Sequence, residues 1–172
     1  MKKFKRLCVV SPFIITALVV AYAVMNGVPS ESLPLETRAL QIIQAGGCES
    51  CHTAEPVLPF YAKMPVAGDV VMQDVEQGYR AYDIAPLMKS LSDGEMPSPV
   101  DVAKIEKVAL DKRMPAAKYY LGHWGSQMTN AKRDIILDAV AAYRNVYYAD
   151  GHVGERAAEP VRPIGKMGGW DE

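Results

Sequence analysis

The chain has 172 residues, room for one domain plus appendages. Nineteen Lys and Arg against 20 Asp and Glu leave a net charge of −1, so no strong field points to nucleic acid or to an acidic partner. Nearly half of the residues are hydrophobic; part of that share sits in the N-terminal segment, and the remainder is ordinary for a soluble domain.

Residues 2–6 are Lys-Lys-Phe-Lys-Arg, and Leu7 to Met25 then carry no charge. At ~1.5 Å per residue, such a helix spans nearly all of a ~30 Å hydrocarbon core. The basic flank stays in the cytoplasm and sends the rest of the chain across. Two readings share this address. Residues 1–26 form a retained signal-anchor helix, or they are cleaved near Ala23, where Ala21-Tyr22-Ala23 has the small-x-small form. The apolar run is longer than the ~7–15 residues of a usual signal core, which favours the anchor. Pro12 is tolerable in a membrane helix. Cys8 reads as a small apolar residue within it.

Residues 27–34 are a linker with Pro and Gly breakers. The domain proper runs over 35–149. Leu35, Ala39, Ile42 and Ile43 share one helical face that Gly46-Gly47 ends. Residues 53–68, rich in Pro and Gly, predict an irregular loop. Val71, Val75, Tyr79 and Tyr82 suggest a second helix. Ser98-Pro99 starts a third as cap and first-turn proline, with Val102, Ile105, Val108 and Ala109 inward. Residues 112–128 read as loop and turn. Asn130 to Tyr147 gives a fourth helix, with Ile135, Ile136, Ala139, Val140 and Tyr143 inward. The tail 150–172, rich in Gly, Pro and charge, reads as flexible. No run makes a convincing strand, and the fold class is all-α.

Directly after Gly47, Cys48-Glu49-Ser50-Cys51-His52 is the C-x-x-C-H pattern of covalent haem c attachment. Two thiols add to the two vinyl groups on one edge of the porphyrin. Two intervening residues separate them by about one helical turn, and the adjacent histidine supplies the proximal iron ligand. A thioredoxin-like pair would need a βαβ setting, and a zinc site would need a second ligand pair; neither is present. One such motif implies one haem. For the sixth position, electron transfer calls for Met or His, whereas an open site suits gas binding or peroxide chemistry. Met64, Met96 and Met114 each precede a proline that would stiffen their loop. Met64 falls on the proximal side, and spacing alone leaves both Met96 and Met114 open.

Several stretches resemble the haem-binding domain that forms the N-terminal extension of bacterial tri-haem cytochrome c peroxidases and occurs in related single-haem periplasmic proteins. They are Gly47–His52, Leu58-Pro59-Phe60-Tyr61-Ala62, Asp74–Tyr79, Lys104–Val108 and Arg113–Trp124, within residues 46–144. The resemblance makes Met114 the distal iron ligand, with Met96 the runner-up. It implies a cytochrome c-like helical domain, which the N-terminal segment places at the bacterial inner membrane, facing the periplasm. A haem closed by His and Met would carry electrons, the anchor would keep it near the quinol pool or a quinol-oxidising complex as donor, and the resemblance suggests a periplasmic acceptor such as a peroxidase. Glu159-Pro160-Val161-Arg162-Pro163 resembles the junction that leads into a peroxidase module. On this reading the chain is an electron carrier rather than an enzyme; the alternative is a haem-based redox or gas sensor. His123 is expected to be a satisfied structural histidine, Tyr61 to meet a propionate or to pack, and a carbonyl near Leu58–Pro59 to receive the ring N–H of His52.

Overall fold

The computed structural model describes residues 2–149, with side chains from residue 12 onward apart from that of Leu121. Cys8 as a side chain, the tail expected from Asp150, His152 and the Glu159–Pro163 stretch lie outside the described residues. Among the described residues the chain is all-helical, as the apolar periodicity predicts, and contains no strand.

Helix α1 (Lys2–Met25) continues through Pro12. Its described apolar side chains, among them Phe13, Leu18, Val19 and Val24, stand exposed rather than packed on the rest of the chain. Among the described residues, no helix is long and apolar enough to cross a membrane. Residues 7–11, the start of the expected apolar run, fall outside the described side chains. The helix end is tied down by Asn26. Its amide nitrogen donates to Trp124 O at 2.8 Å, and its side-chain oxygen accepts from the backbone N–H of Gln127 at 3.0 Å.

Helix α2 (Leu35–Ala45) buries Ala39, Ile42 and Ile43, the i, i+3, i+4 face that the sequence predicts. That face packs on α6 (Asn130–Ala149), which buries Ile135, Ile136, Ala139 and Val140 and also packs against α5 (Pro99–Asp111). Helix α5 begins at Ser98, whose Oγ accepts from the backbone N–H of Asp101 at 3.1 Å, with Pro99 in the first turn. Ile42, Ile43 and Leu87 are nearly free of solvent. Each contributes about 1.5–3 kcal/mol by burial.

Two elements differ from the sequence reading. Residues 83–97, to which the periodicity assigns no element, contain α4 (Ala85–Asp93). It starts where Asp83 Oδ1 accepts from the Ala85 N–H and ends at Gly94 in the left-handed region (φ 70°). Only nine residues long, it shows its inward face through just Leu87 and Leu91. Helix α3 (Ala67–Ala81) occurs where expected, but of the predicted face only Val75 is buried, and Tyr82 lies past its end in extended conformation. Helix α3 packs on a short 3₁₀ turn, Phe60–Lys63, which lies within the stretch expected to be irregular. A second such turn, Ala117–Leu121, interrupts the loop between α5 and α6.

Candidate functional site

Gly47 sets up the Cys48–His52 turn. The chain leaves α2 through Gly47 in the left-handed region (φ 66°), where a side chain would be strained. A Cβ there would also fall 2.0 Å from Tyr119 Oη, so the residue is doubly required to be glycine. Cys48–Ser50 then makes one 3₁₀ turn. The N–H groups of Cys51 and His52 both donate to Cys48 O, at 3.3 and 3.0 Å. This winds the two cysteines and the histidine onto a single turn, as the spacing implies. Thr53 Oγ1 adds a bond to Glu49 O at 2.8 Å.

Neither cysteine is in a disulfide. Burial pushes the Cys48 thiol up to about 12, and burial followed by the nearby Asp74 carboxylate raises that of Cys51. At neutral pH both remain thiols. A disulfide oxidoreductase needs the opposite, a cysteine with a lowered pKa. Among the described residues no group of three or more His, Cys, Asp or Glu could hold a metal ion by itself.

His52 is gripped twice by the strand of backbone between α3 and α4. Its Nδ1 donates to Tyr82 O at 3.0 Å, and its own carbonyl accepts from the Ile84 N–H at 2.8 Å. Bonding at Nδ1 leaves Nε2 with its lone pair, the state in which imidazole ligates a metal. The acceptor is therefore Tyr82, not the expected carbonyl near Leu58–Pro59. Tyr82 is the first residue beyond α3, and its extended backbone removes its carbonyl from the helical ladder and frees it to accept. Tyr82 is itself fixed: its hydroxyl donates to Asp101 Oδ1 at 3.0 Å, and Lys104 Nζ lies 4.6 Å from its ring centre. Burial, then the Asp101 carboxylate, raises its phenol above the ordinary range. The same carboxylate accepts from Ser98 Oγ at 2.7 Å, so the anchor of His52 is braced against the start of α5.

Gly78, within the Asp74–Tyr79 stretch, has a role that the sequence does not assign. It faces Cys51 from α3, and a Cβ there would lie 2.6 Å from Cys51 O. By pattern alone it is a glycine inside a helical run. On the other side, the Tyr119 ring stacks on His123 at 3.8 Å with planes 3° apart. The Nδ1 of His123 lies 3.2 Å from Tyr119 O and 3.4 Å from Tyr61 Oη. Tyr61 and His123 thus join Tyr119 in one aromatic cluster beside the cysteine turn.

Met64, Met96 and Met114 sit on three separate loops. Met96 is 44 % and Met114 43 % exposed. The Met114–Pro115 peptide is cis. Leu58 and Phe60, on the loop after the motif, are exposed as well. Paired thiols on one turn and a histidine held at Nδ1 form a donor set that fits a haem, whose iron takes imidazole. Cys48, Cys51 and His52 would hold it.

The profile of the haem-binding domain family matches residues 18–142. The chain is 30% identical over 138 residues to the cytochrome c peroxidase Ccp of Escherichia coli (strain K12), an alignment that takes in 80% of this chain and 30% of that protein. The chain therefore spans well under half of that relative's length. No solved structure matches it at a significant level.

Proposed function

This chain belongs to the haem-binding domain family, and on that premise we propose that it is a mono-haem c-type cytochrome that carries electrons. Cys48 and Cys51 would hold the haem through two thioethers, His52 would ligate its iron through Nε2, and Met114, with Met96 the runner-up, would supply the distal ligand. The observation that carries the reading is the double grip on His52, by Tyr82 O on the ring and by the Ile84 N–H on the backbone, next to two thiols on one turn.

When bound, the haem supplies one-electron chemistry at a potential that a methionine ligand raises. The chain's own residues orient and shield it. The bond from Nδ1 to Tyr82 O fixes the ring plane and increases the electron density at Nε2. Gly78 lets α3 approach the cysteine turn, and Tyr119 closes over Gly47. With His52 and Met114 both bound, the iron would offer no open position, the arrangement of an electron carrier rather than an enzyme.

The domain works in the periplasm, held at the inner membrane by α1. The all-round exposure of apolar side chains on the described part of α1 supports this, since such a surface belongs in lipid or in a protein core. The basic flank at residues 2–6 gives the orientation. The donor is the quinol pool or a quinol-oxidising complex. The similarity to a cytochrome c peroxidase suggests such an enzyme as the acceptor.

The test uses the full chain, matured in a host that attaches haem c and reduced chemically. Mixed with a periplasmic two-haem peroxidase and hydrogen peroxide, it should reoxidise far faster than with peroxide alone. Equal rates would remove that acceptor. Tight carbon monoxide binding by the reduced protein would contradict the closed carrier itself and favour the sensor.

A further inference from the structure

Arg133 is a cation on the buried side of α6, only 6 % exposed and with no ion pair among the described residues. Among the described residues, the hydrogen bonds of its guanidinium all go to backbone carbonyls on one neighbouring segment. Nη1 donates to Val108 O and Ala109 O, both at 3.3 Å, and Nη2 donates to Met114 O at 3.1 Å. Val108 and Ala109 lie in the last turn of α5, where carbonyls lack helical partners and carry the negative end of the helix dipole. Between them and Met114 the chain reverses through Lys112 in the left-handed region (φ 56°). One planar guanidinium thus spans the end of α5 and the loop that turns away from it.

We propose that Arg133 is the positioning residue of the distal iron ligand: by joining the α5 terminus to Met114 O it fixes where the Met114 backbone sits, and so whether the thioether can close the sixth coordination position. This rests on Met114 being that ligand. Guanidinium suits the task because its donors are held in a rigid fork, whereas a lysine ammonium is a point donor on a flexible stem. A purely apolar contact could bury the loop but could not tie two carbonyls at a set separation. Nor is a mobile surface lysine a substitute, since Arg133 is itself buried and a carbonyl left unbonded beside it is costly.

The experiment compares the haem-loaded full chain with Arg133→Lys, Arg133→Gln, Lys132→Met and Met114→Ala. The oxidised near-infrared methionine–iron band and carbon monoxide binding by the reduced protein report the ligand, and far-ultraviolet circular dichroism reports the helices. Lys132 is a neighbouring buried cation on α6 that donates to Gln127 O, away from the Met114 loop. We expect both Arg133 variants to lose most of the band and to bind carbon monoxide at temperatures where their helices remain intact. Their reduction potential falls toward that of Met114→Ala. Lys132→Met keeps the band until its helices melt. Retention of the band in both Arg133 variants overturns the proposal, as does equal loss in Lys132→Met or failure of both Arg133 variants to fold while Lys132→Met folds. A band that survives in Met114→Ala removes the ligand assignment instead, independently of Arg133.

Discussion

The ring of His52 donates from Nδ1 to the carbonyl oxygen of Tyr82, while the hydroxyl of the same tyrosine donates to Asp101. One residue thus links His52 to the N-terminus of α5. Removing the hydroxyl with Tyr82→Phe leaves the carbonyl in place. It should cost about 1.5–3 kcal/mol, the range for a hydrogen bond to a charged group. Haem attachment should persist, because the contact to His52 is made by backbone. Denaturant midpoints with and without the hydroxyl check the first expectation, and the haem absorbance of purified protein checks the second.

Gly78 and Gly94 give opposite substitutions to alanine. At Gly78 the added carbon meets Cys51 O at 2.6 Å, and something must shift, α3 or the cysteine turn. The cost is about 1–3 kcal/mol of overpacking, with a lower yield of attached haem. At Gly94 the space is open and the obstacle is a φ of 70°, for a cost of about 1–2 kcal/mol with normal attachment. Haem-to-protein ratios across the pair separate the two mechanisms; equal ratios would remove the close approach of α3 as a factor.

In haem-free protein, stability should fall as pH rises from about 9. Cys48 moves from an ordinary value of 9.0 up to about 12 through burial. Below 9 both states carry the protonated thiol and nothing changes. Between 9 and 12 the unfolded chain ionises while the folded one does not, which favours unfolding. Tyr143, raised to about 12 by burial, adds to the decline at the upper end. Cys48→Ala should flatten the lower part of this fall, read as denaturant midpoints against pH. The haem-loaded protein, its thiols consumed, should lack the Cys48 contribution altogether.

Ser98→Ala removes the cap of α5 and an acceptor–donor pair with Asp101. A loss of about 1 kcal/mol is expected. The near-infrared band should be unaffected, because Ser98 touches neither His52 nor the Met114 loop. Thermal melts followed by circular dichroism and by haem absorbance provide the two readings.

The parts of the fold legible in sequence were those with long apolar periods and explicit caps. Ile42 and Ile43 of α2, the Ser98-Pro99 start and the Ile135–Val140 face of α6 all lie where periodicity predicts. Helix α4 escaped because a nine-residue segment with Pro86 in its first turn and Gly94 at its end buries just Leu87 and Leu91. The Cys48–His52 turn was legible because the chemistry demands contiguous residues. The carbonyl acceptor of His52 was not, since any residue provides a carbonyl and only the helix end at Tyr82 selects which one. Arg133 was hidden for a similar reason. A cation at a helical inward position looks like a surface residue until the carbonyls it serves, from α5 and the Met114 loop, are folded around it.

The most direct test of the central claim is the mass of the full chain after maturation in a host that attaches haem c, read after denaturation in acid and organic solvent. The account predicts one haem per chain that resists extraction, reduced to a single-thioether species in Cys48→Ala or Cys51→Ala and lost in the double variant. A properly folded chain that emerges without porphyrin, or whose haem extracts freely from intact Cys48 and Cys51, would contradict it.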